Sequence, residues 1–296
     1  MKIKCYLSTN NKNLKIEFFR SNKDIFIEID LKKISIKEIK EVILIAIDTP
    51  HMSDLFLPFK KKILYRLEYK EARSKRNIFN SYLYSLFFDV IFEWDSNFFY
   101  NSKSFLPFFP PRVGLMHERN KIKEVKNIDF FLTNDFNSRK IKSISSVVSN
   151  KAYLEWHKLR LKMIFELKSF IPEIKIFGRG FNQIPDKSDA LIDFKYHIAA
   201  ENSPSGPSEK LWDPLLCQCV VFYAGSLDLV HPILRNAIIP IDIYDVESSL
   251  RTINEELKSS FIYNKLSIFD WKIIKETIIK YYSLENIIEN QLKNYI

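Results

Sequence analysis

Cysteine is scarce in this chain. Cys5, Cys217 and Cys219 make an odd count, which argues against a disulfide framework. Cys217-x-Cys219 is not a C-x-x-C pair, and no histidine lies near enough in sequence to complete a metal site. Reduced, structural thiols are expected. Long apolar runs are also missing. The greasiest segments, Val42–Ile47 and Leu86–Phe92, fall far short of the roughly 20 residues needed to span a bilayer. Residues Met1–Leu7 lack the apolar core of a signal peptide. The expected location is cytoplasmic, with peripheral contact at the inner face of a membrane left open. There is no Walker A loop, no G-x-S-x-G elbow, no Asp-x-Asp metal motif, no internal repeat and no low-complexity tract. The five histidines fall in no triad or metal spacing.

What is present is the composition of a folded protein, 46% hydrophobic and 15% aromatic over 296 residues, a length suited to two domains. Lys and Arg number 45 against 36 Asp and Glu, a net charge of +9. That excess suits an anionic partner. The basic residues are scattered, however, and the short clusters Lys60–Lys62 and Arg73–Arg76 are broken up by acids. A solvated, lysine-rich surface accounts for them better than a nucleic-acid footprint does.

Short strand-like runs alternate with helical periodicity, which predicts an α/β fold. In the first half, Ile3–Leu7, Leu14–Phe19 and Ile25–Ile29 read as strands, with a turn at Asn10–Asn13. The β-branched run Val42–Ile47 reads as a strand buried on both faces. Lys62–Glu68 is similar, and a helix over Ile78–Phe88 leads into a strand at Val90–Trp94. Three prolines in Phe105–Arg112 rule out regular structure there. From Ile144–Ser149 the pattern restarts, followed by a helix with Leu159, Met163, Leu167 and Phe170 on one face. Strands follow at Ile174–Phe177, Tyr196–Ala200, Val220–Tyr223 and Ile238–Ile243, then helices capped by Ser208 and Asp245. The C-terminal thirty residues continue as amphipathic helix with a break near Ser283. The expected architecture is GT-B-like, with two Rossmann-like domains facing a central cleft and closed by C-terminal helices. The boundaries expected are 1–125 for an N-terminal α/β domain, 126–270 for a C-terminal α/β domain and 271–296 for the closing helices.

The most informative segment runs from Phe194 through Glu201-Asn202-Ser203 and Ser208-Glu209-Lys210 to Tyr223-Ala224-Gly225. It reads as a strand, a polar loop, a capped helix start and a second strand. Ligands of open α/β sheets bind beyond the carboxyl ends of strands, and a helix N-terminus attracts a diphosphate. A cation there is otherwise unfavourable by a few tenths of a kcal/mol, so Lys210 suggests an anion nearby. An ordinary capped helix remains the other reading of the same residues.

In order and spacing, this block resembles that of the family 10 (α1,3/α1,4) fucosyltransferases. The matching elements are Phe194-Lys195-Tyr196, Glu201-Asn202-Ser203, Ser208-Glu209-Lys210 and Tyr223-Ala224-Gly225. Gly178-Arg179-Gly180 resembles the family's glycine turn, and Asp242-Ile-Tyr-Asp245 the strand end that follows. The similarity covers roughly residues 140–250. It implies that Lys210 contacts the donor diphosphate, Glu209 bonds the ribose, Asn202 helps hold the nucleotide and Arg160 supplies a second phosphate-binding cation. A solvated helix arginine is the other reading of Arg160. His157, one helical turn from Arg160, reads as a structural or surface histidine. More faintly, Ile63–Glu68 resembles the strand that ends in the family's catalytic carboxylate. Glu68 would then be the general base of a single inverting displacement, with Glu71 and Asp95 as rivals.

The resemblance implies transfer of fucose from GDP-fucose to a glycan hydroxyl, without nucleic acid as partner. No cofactor is required, and a non-essential divalent cation is left open. Two departures from the family pattern lie beside the donor site. Pro204–Pro207 replaces a usual tyrosine-containing stretch and shortens the loop, and Pro214 falls inside the helix begun at Ser208. The same fold with another nucleotide sugar, and a catalytically inactive basic binding protein, are the alternatives.

Overall fold

The computed structural model describes residues 3–8, 26–47, 50–66, 86–93, 102–104, 128–204, 206–283 and 286. The chain divides into two compact units, Met1–Phe108 with Leu284–Ile296, and Phe109–Ser283.

The first unit holds a six-stranded parallel sheet. Its strands are β1 (Ile3–Ser8), β2 (Phe26–Glu28), β3 (Ile43–Ile47), β4 (Lys61–Tyr65), β5 (Val90–Glu93) and β6 (Ser102–Ser104), ordered β2-β1-β3-β4-β5-β6. All five residues of β3 are buried, as a β-branched run covered on both faces requires. Helix α1 (Ile36–Ile39) is started by a reciprocal Ser35–Glu38 capping box, and α2 (Met52–Leu55) follows β3. Ile39, Leu44, Leu55, Leu64 and Ile91 meet in the core between them. At the end of β1, Ser8 Oγ donates to the buried Asp54 at 2.6 Å and accepts from the His51 N–H at 3.0 Å. The expected strand Leu14–Phe19, the turn at Asn10–Asn13, the start of the helix Ile78–Phe88 and the segment Phe105–Arg112 lie outside the described residues. Leu86 and Phe87 form a turn rather than a helix end.

The second unit has a five-stranded parallel sheet made of β7 (Lys142–Val147), β8 (Lys175–Phe177), β9 (Phe194–Ala200), β10 (Val220–Ala224) and β11 (Ile238–Pro240). Their order is β11-β10-β9-β7-β8. The chain leaves β7 towards β8 on one side and returns to β9 on the other, so the winding direction reverses between β7 and β9. That gap is the topological switch point, where doubly wound sheets bind ligands. β11 is shorter than the expected Ile238–Ile243. Asp242 turns the chain away by accepting from the Tyr244 N–H at 2.8 Å, and its own N–H goes to Ser249 Oγ at 3.0 Å.

Helices cover this sheet: α3 (Ile128–Thr133), α4 (Glu155–Phe170), α5 (Glu209–Leu216), α6 (Val246–Ser259), α7 (Phe261–Lys265) and α8 (Ile268–Tyr282). Ser208 and Asp245 cap α5 and α6 as expected, and α8 ends at Ser283. Pro214 sits inside α5 without ending it. α8 packs on α5 and α3, and Tyr282 stacks on Trp212 at 4.0 Å between ring centres. The apolar face of α4 departs from expectation at Phe170, which is 66% exposed. The helix ends there, and Ile171 turns inward to fill the core instead. Towards its N-terminus the same buried face continues as Arg160 and His157.

No described helix is long and apolar enough to cross a membrane.

Candidate functional site

The carboxyl ends of β7 and β9 deliver Ser149-Asn150-Lys151 and Glu201-Asn202-Ser203 to the two sides of the switch point. Arg160, reaching in from α4, ties them together. Its Nη2 donates to the Ser149 carbonyl at 2.9 Å and to that of Lys151 at 3.4 Å, and its Nη1 donates to Asn202 Oδ1. The residue is 4% exposed, and its Nε is buried with no hydrogen-bond partner among the described residues. Burial pulls the guanidinium down to about 10, against the opposing influence of Glu201 and Tyr153.

Glu201 organises the β9 side. Oε1 accepts from the Ser208 N–H at 2.9 Å and the Tyr223 hydroxyl at 3.1 Å; Oε2 accepts from Ser208 Oγ at 2.7 Å and Lys210 Nζ at 3.3 Å. The carboxylate is wholly buried, which is tolerable because it is paired and fully hydrogen-bonded. Gly225 makes room for this arrangement. A Cβ there would lie 2.5 Å from the Tyr223 hydroxyl and 2.9 Å from Glu201 Cγ. The anion that answers Lys210 at the start of α5 is thus the chain's own Glu201, joined by Glu209 at 3.8 Å. Burial alone would lower the Lys210 ammonium, but these two carboxylates outweigh it and hold its pKa above the ordinary lysine value.

The start of α4 closes the site. Its N-cap is Leu154, whose side chain makes no capping bond, so the first turn presents N–H groups and the positive end of a sixteen-residue helix dipole. His157 lies in that turn, 3% exposed. Burial, then Arg160, Lys151 and Lys210, drive its pKa down to about 4. Beside this turn opens a cleft of about 370 Å³, lined by Trp156, Gly225, Asp242, Tyr244, Ser248 and Thr252. The loops after β7 and β8 pack closely: Asn150 N–H donates to the Arg179 carbonyl at 3.0 Å. A Cβ at Gly178, where φ is +120°, would meet the Val148 carbonyl oxygen at 2.2 Å. Only glycine fits that position.

Of the residues expected at the donor site, the structure brings Arg160 onto Asn202 and Glu209 beside Lys210. Glu201 links the two pairs. Glu68, with Glu71 and Asp95, lies outside the described residues. Glu201, Ser208, Tyr223 and His157 were missed as site residues. The available signal was a glutamate placed directly after the apolar run Ile198-Ala199-Ala200, and polar residues on the buried stripe of α4. Among the described residues, no group of three or more His, Cys, Asp or Glu side chains is placed to hold a metal ion.

No protein-family model and no curated protein sequence matches this chain. Solved structures do share its fold. An α1,3-fucosyltransferase is 13% identical with a TM-score of 0.50, the match covering 95% of this chain and 91% of that one. Anabaena HepE in complex with UDP-glucose is 9% identical with a TM-score of 0.56, covering 99% and 98%. An E. coli trehalose-6-phosphate structure bound with UDP-2-fluoro glucose is 10% identical with a TM-score of 0.52, covering 95% and 77%. The chain therefore has the fold of the GT-B glycosyltransferases, with a parallel-sheet α/β unit in each half.

Proposed function

We propose that this protein is a glycosyltransferase whose second unit binds a nucleoside-diphosphate sugar. One observation carries the reading: Arg160 bridges both strand ends at the switch point, keeps one buried nitrogen unpartnered among the described residues, and lies on a helix whose N-cap side chain makes no capping bond. An anion is the ligand that such a constellation attracts. In this reading Arg160 and Lys210 neutralise charge on the departing diphosphate, while Glu209 bonds the ribose and Asn202 helps hold the nucleotide. Glu68 would take the proton of an acceptor glycan hydroxyl as that oxygen attacks the anomeric carbon and inverts it. No metal is required in this scheme.

The order of the motifs from Phe194 to Gly225 favours GDP-fucose as donor, and the likeness to an α1,3-fucosyltransferase agrees with it. A UDP-sugar is the second reading, supported by the UDP-glucose held in Anabaena HepE. We place the protein in the cytoplasm, with any membrane contact peripheral.

Thermal unfolding with GDP, UDP, CDP and GDP-fucose tests this. A ligand at about 100 times its dissociation constant should stabilise the wild type by roughly 2.7 kcal/mol. Arg160→Gln and Lys210→Gln should lose most of that gain relative to their own ligand-free melting points. Preference for UDP would change the donor and keep the transferase. A well-folded protein stabilised by no nucleotide would overturn the reading in favour of an inactive binding protein.

A further inference from the structure

His157 is not accounted for by the roles given so far. It is nine-tenths buried, on the face of α4 that points into the protein, one turn before Arg160. Its Nδ1 is buried without a hydrogen-bond partner among the described residues. Its ring is held edge-on to Tyr153, with centres 4.6 Å apart. A buried polar atom left unsatisfied costs about 1–3 kcal/mol, so a core position would ordinarily carry an apolar side chain instead. Among the described residues the charged groups acting on the ring are Arg160 on its own helix, Lys151 from the loop after β7, and Lys210 from the start of α5. Glu201 stands behind Arg160 and Lys210 and acts on those two. Three cations act on a ring held neutral, and one helical turn further on Arg160 Nε is buried without a partner among the described residues, an arrangement that favours negative charge.

We propose that His157 is a ligand-binding residue of the donor site, donating a hydrogen bond to the diphosphate and taking up a proton from solvent as that anion binds. The proposal rests on the donor-site reading given above. Its physical basis is linkage. In the free protein the imidazole is neutral, because burial and three neighbouring cations oppose its ionisation. Two phosphate charges placed among those cations reverse the local field and return the ring towards its ordinary value of about 6.5. Binding and protonation then favour each other. No covalent step is involved; one proton moves from water to a ring nitrogen. Both phosphates of a sugar nucleotide are fully ionised from pH 5 to pH 8, so the ligand contributes no proton of its own.

The experiment is calorimetric titration of GDP-fucose and of UDP-glucose into the wild type and His157→Gln, from pH 8 to pH 5, in buffers of different ionisation heat. The wild type should bind more tightly as pH falls below about 6.5, by up to tenfold per pH unit, with close to one proton taken up. His157→Gln should bind more weakly than the wild type at every pH and show neither the tightening nor the proton. Should that variant fold poorly, the ring Cε1 resonance of His157 in the wild type gives the same answer: it should titrate near neutrality with ligand and well below pH 5 without it. If His157→Gln keeps the wild-type pH dependence, or the resonance does not move, the proposal is overturned and the donor site stands. If neither nucleotide binds the wild type at any pH, both are overturned.

Discussion

Glu201 shows how much of this site depends on one side chain. Its two oxygens accept from four donors, and its charge is the main answer to the buried ammonium of Lys210. Breaking a buried pair from one side leaves an uncompensated charge, which costs about 3–5 kcal/mol. Glu201→Gln should lose stability on that scale in urea unfolding, while Tyr223→Phe should lose only about 1 kcal/mol. The double variant Glu201→Gln with Lys210→Met should be less unstable than the sum of the two singles; simple additivity would mean the pair does not interact. The motif Glu201-Asn202-Ser203 was legible in the sequence, but the partnership was not. It depends on Tyr223 reaching back from the neighbouring strand and on Gly225 leaving the space, and neither follows from spacing. A cation at a helix start calls for an anion, and the anion set beside Lys210 is the internal Glu201.

Among the elements, α8 matters most to α5. Tyr282 stacks on Trp212, its hydroxyl accepts from the His231 N–H at 2.8 Å, and it donates to the Leu229 carbonyl at 2.8 Å. It thereby pins the last long helix to the one whose first turn carries Lys210. Tyr282→Ala should cost about 3–5 kcal/mol, as removing a buried aromatic does. Tyr282→Phe should cost about 1–3 kcal/mol by leaving the His231 N–H unmet. Equal losses in denaturant titrations would show that stacking contributes little. Caps at Ser208 and Asp245 and the stop at Ser283 could be read directly, because capping is local chemistry. The exposure of Phe170 could not, since it depends on where the helix gives way and Ile171 takes the core position. Arg160 and His157 on the buried stripe were visible as residues, and their burial became clear only once α4 was laid on the sheet.

For the whole molecule, the alternation of strand and helix announced two α/β units, but no periodicity states that β9 lies on the far side of β7 from β8. That crossing makes the site. The second unit also carries two histidines held neutral. His197, 2% exposed, stands with Nδ1 2.8 Å from Ser145 Oγ. Since that hydroxyl donates to the Ala190 carbonyl at 2.6 Å, the ring donates to Ser145. Burial first, then Lys187 and Lys140, push His197 down to about 3; His157 is near 4. Both values lie below the unfolded value of about 6.5, so protons favour the unfolded chain. Stability should hold above pH 6.5 and fall as pH drops towards 4, with each histidine removing roughly 2 kcal/mol by pH 5. Urea midpoints from pH 8 to pH 5 check this. A flat profile would contradict it, and His157→Gln should fall less steeply than the wild type.

Every strand pairing recorded among the described residues is parallel. A parallel pair cannot be closed by a tight hairpin. Apart from β6, which follows β5 closely, each strand is separated from its neighbour by a crossover of a dozen or more residues. Contacts in both sheets are consequently distant along the chain, and the entropy of closing those loops is lost before any pairing repays it. The nascent polypeptide therefore carries strands such as Ile43–Ile47, wholly apolar, through an interval in which only the β1 side has a neighbour and the β4 side is open. This protein should assemble slowly and be most prone to aggregation during synthesis, before its first sheet is complete.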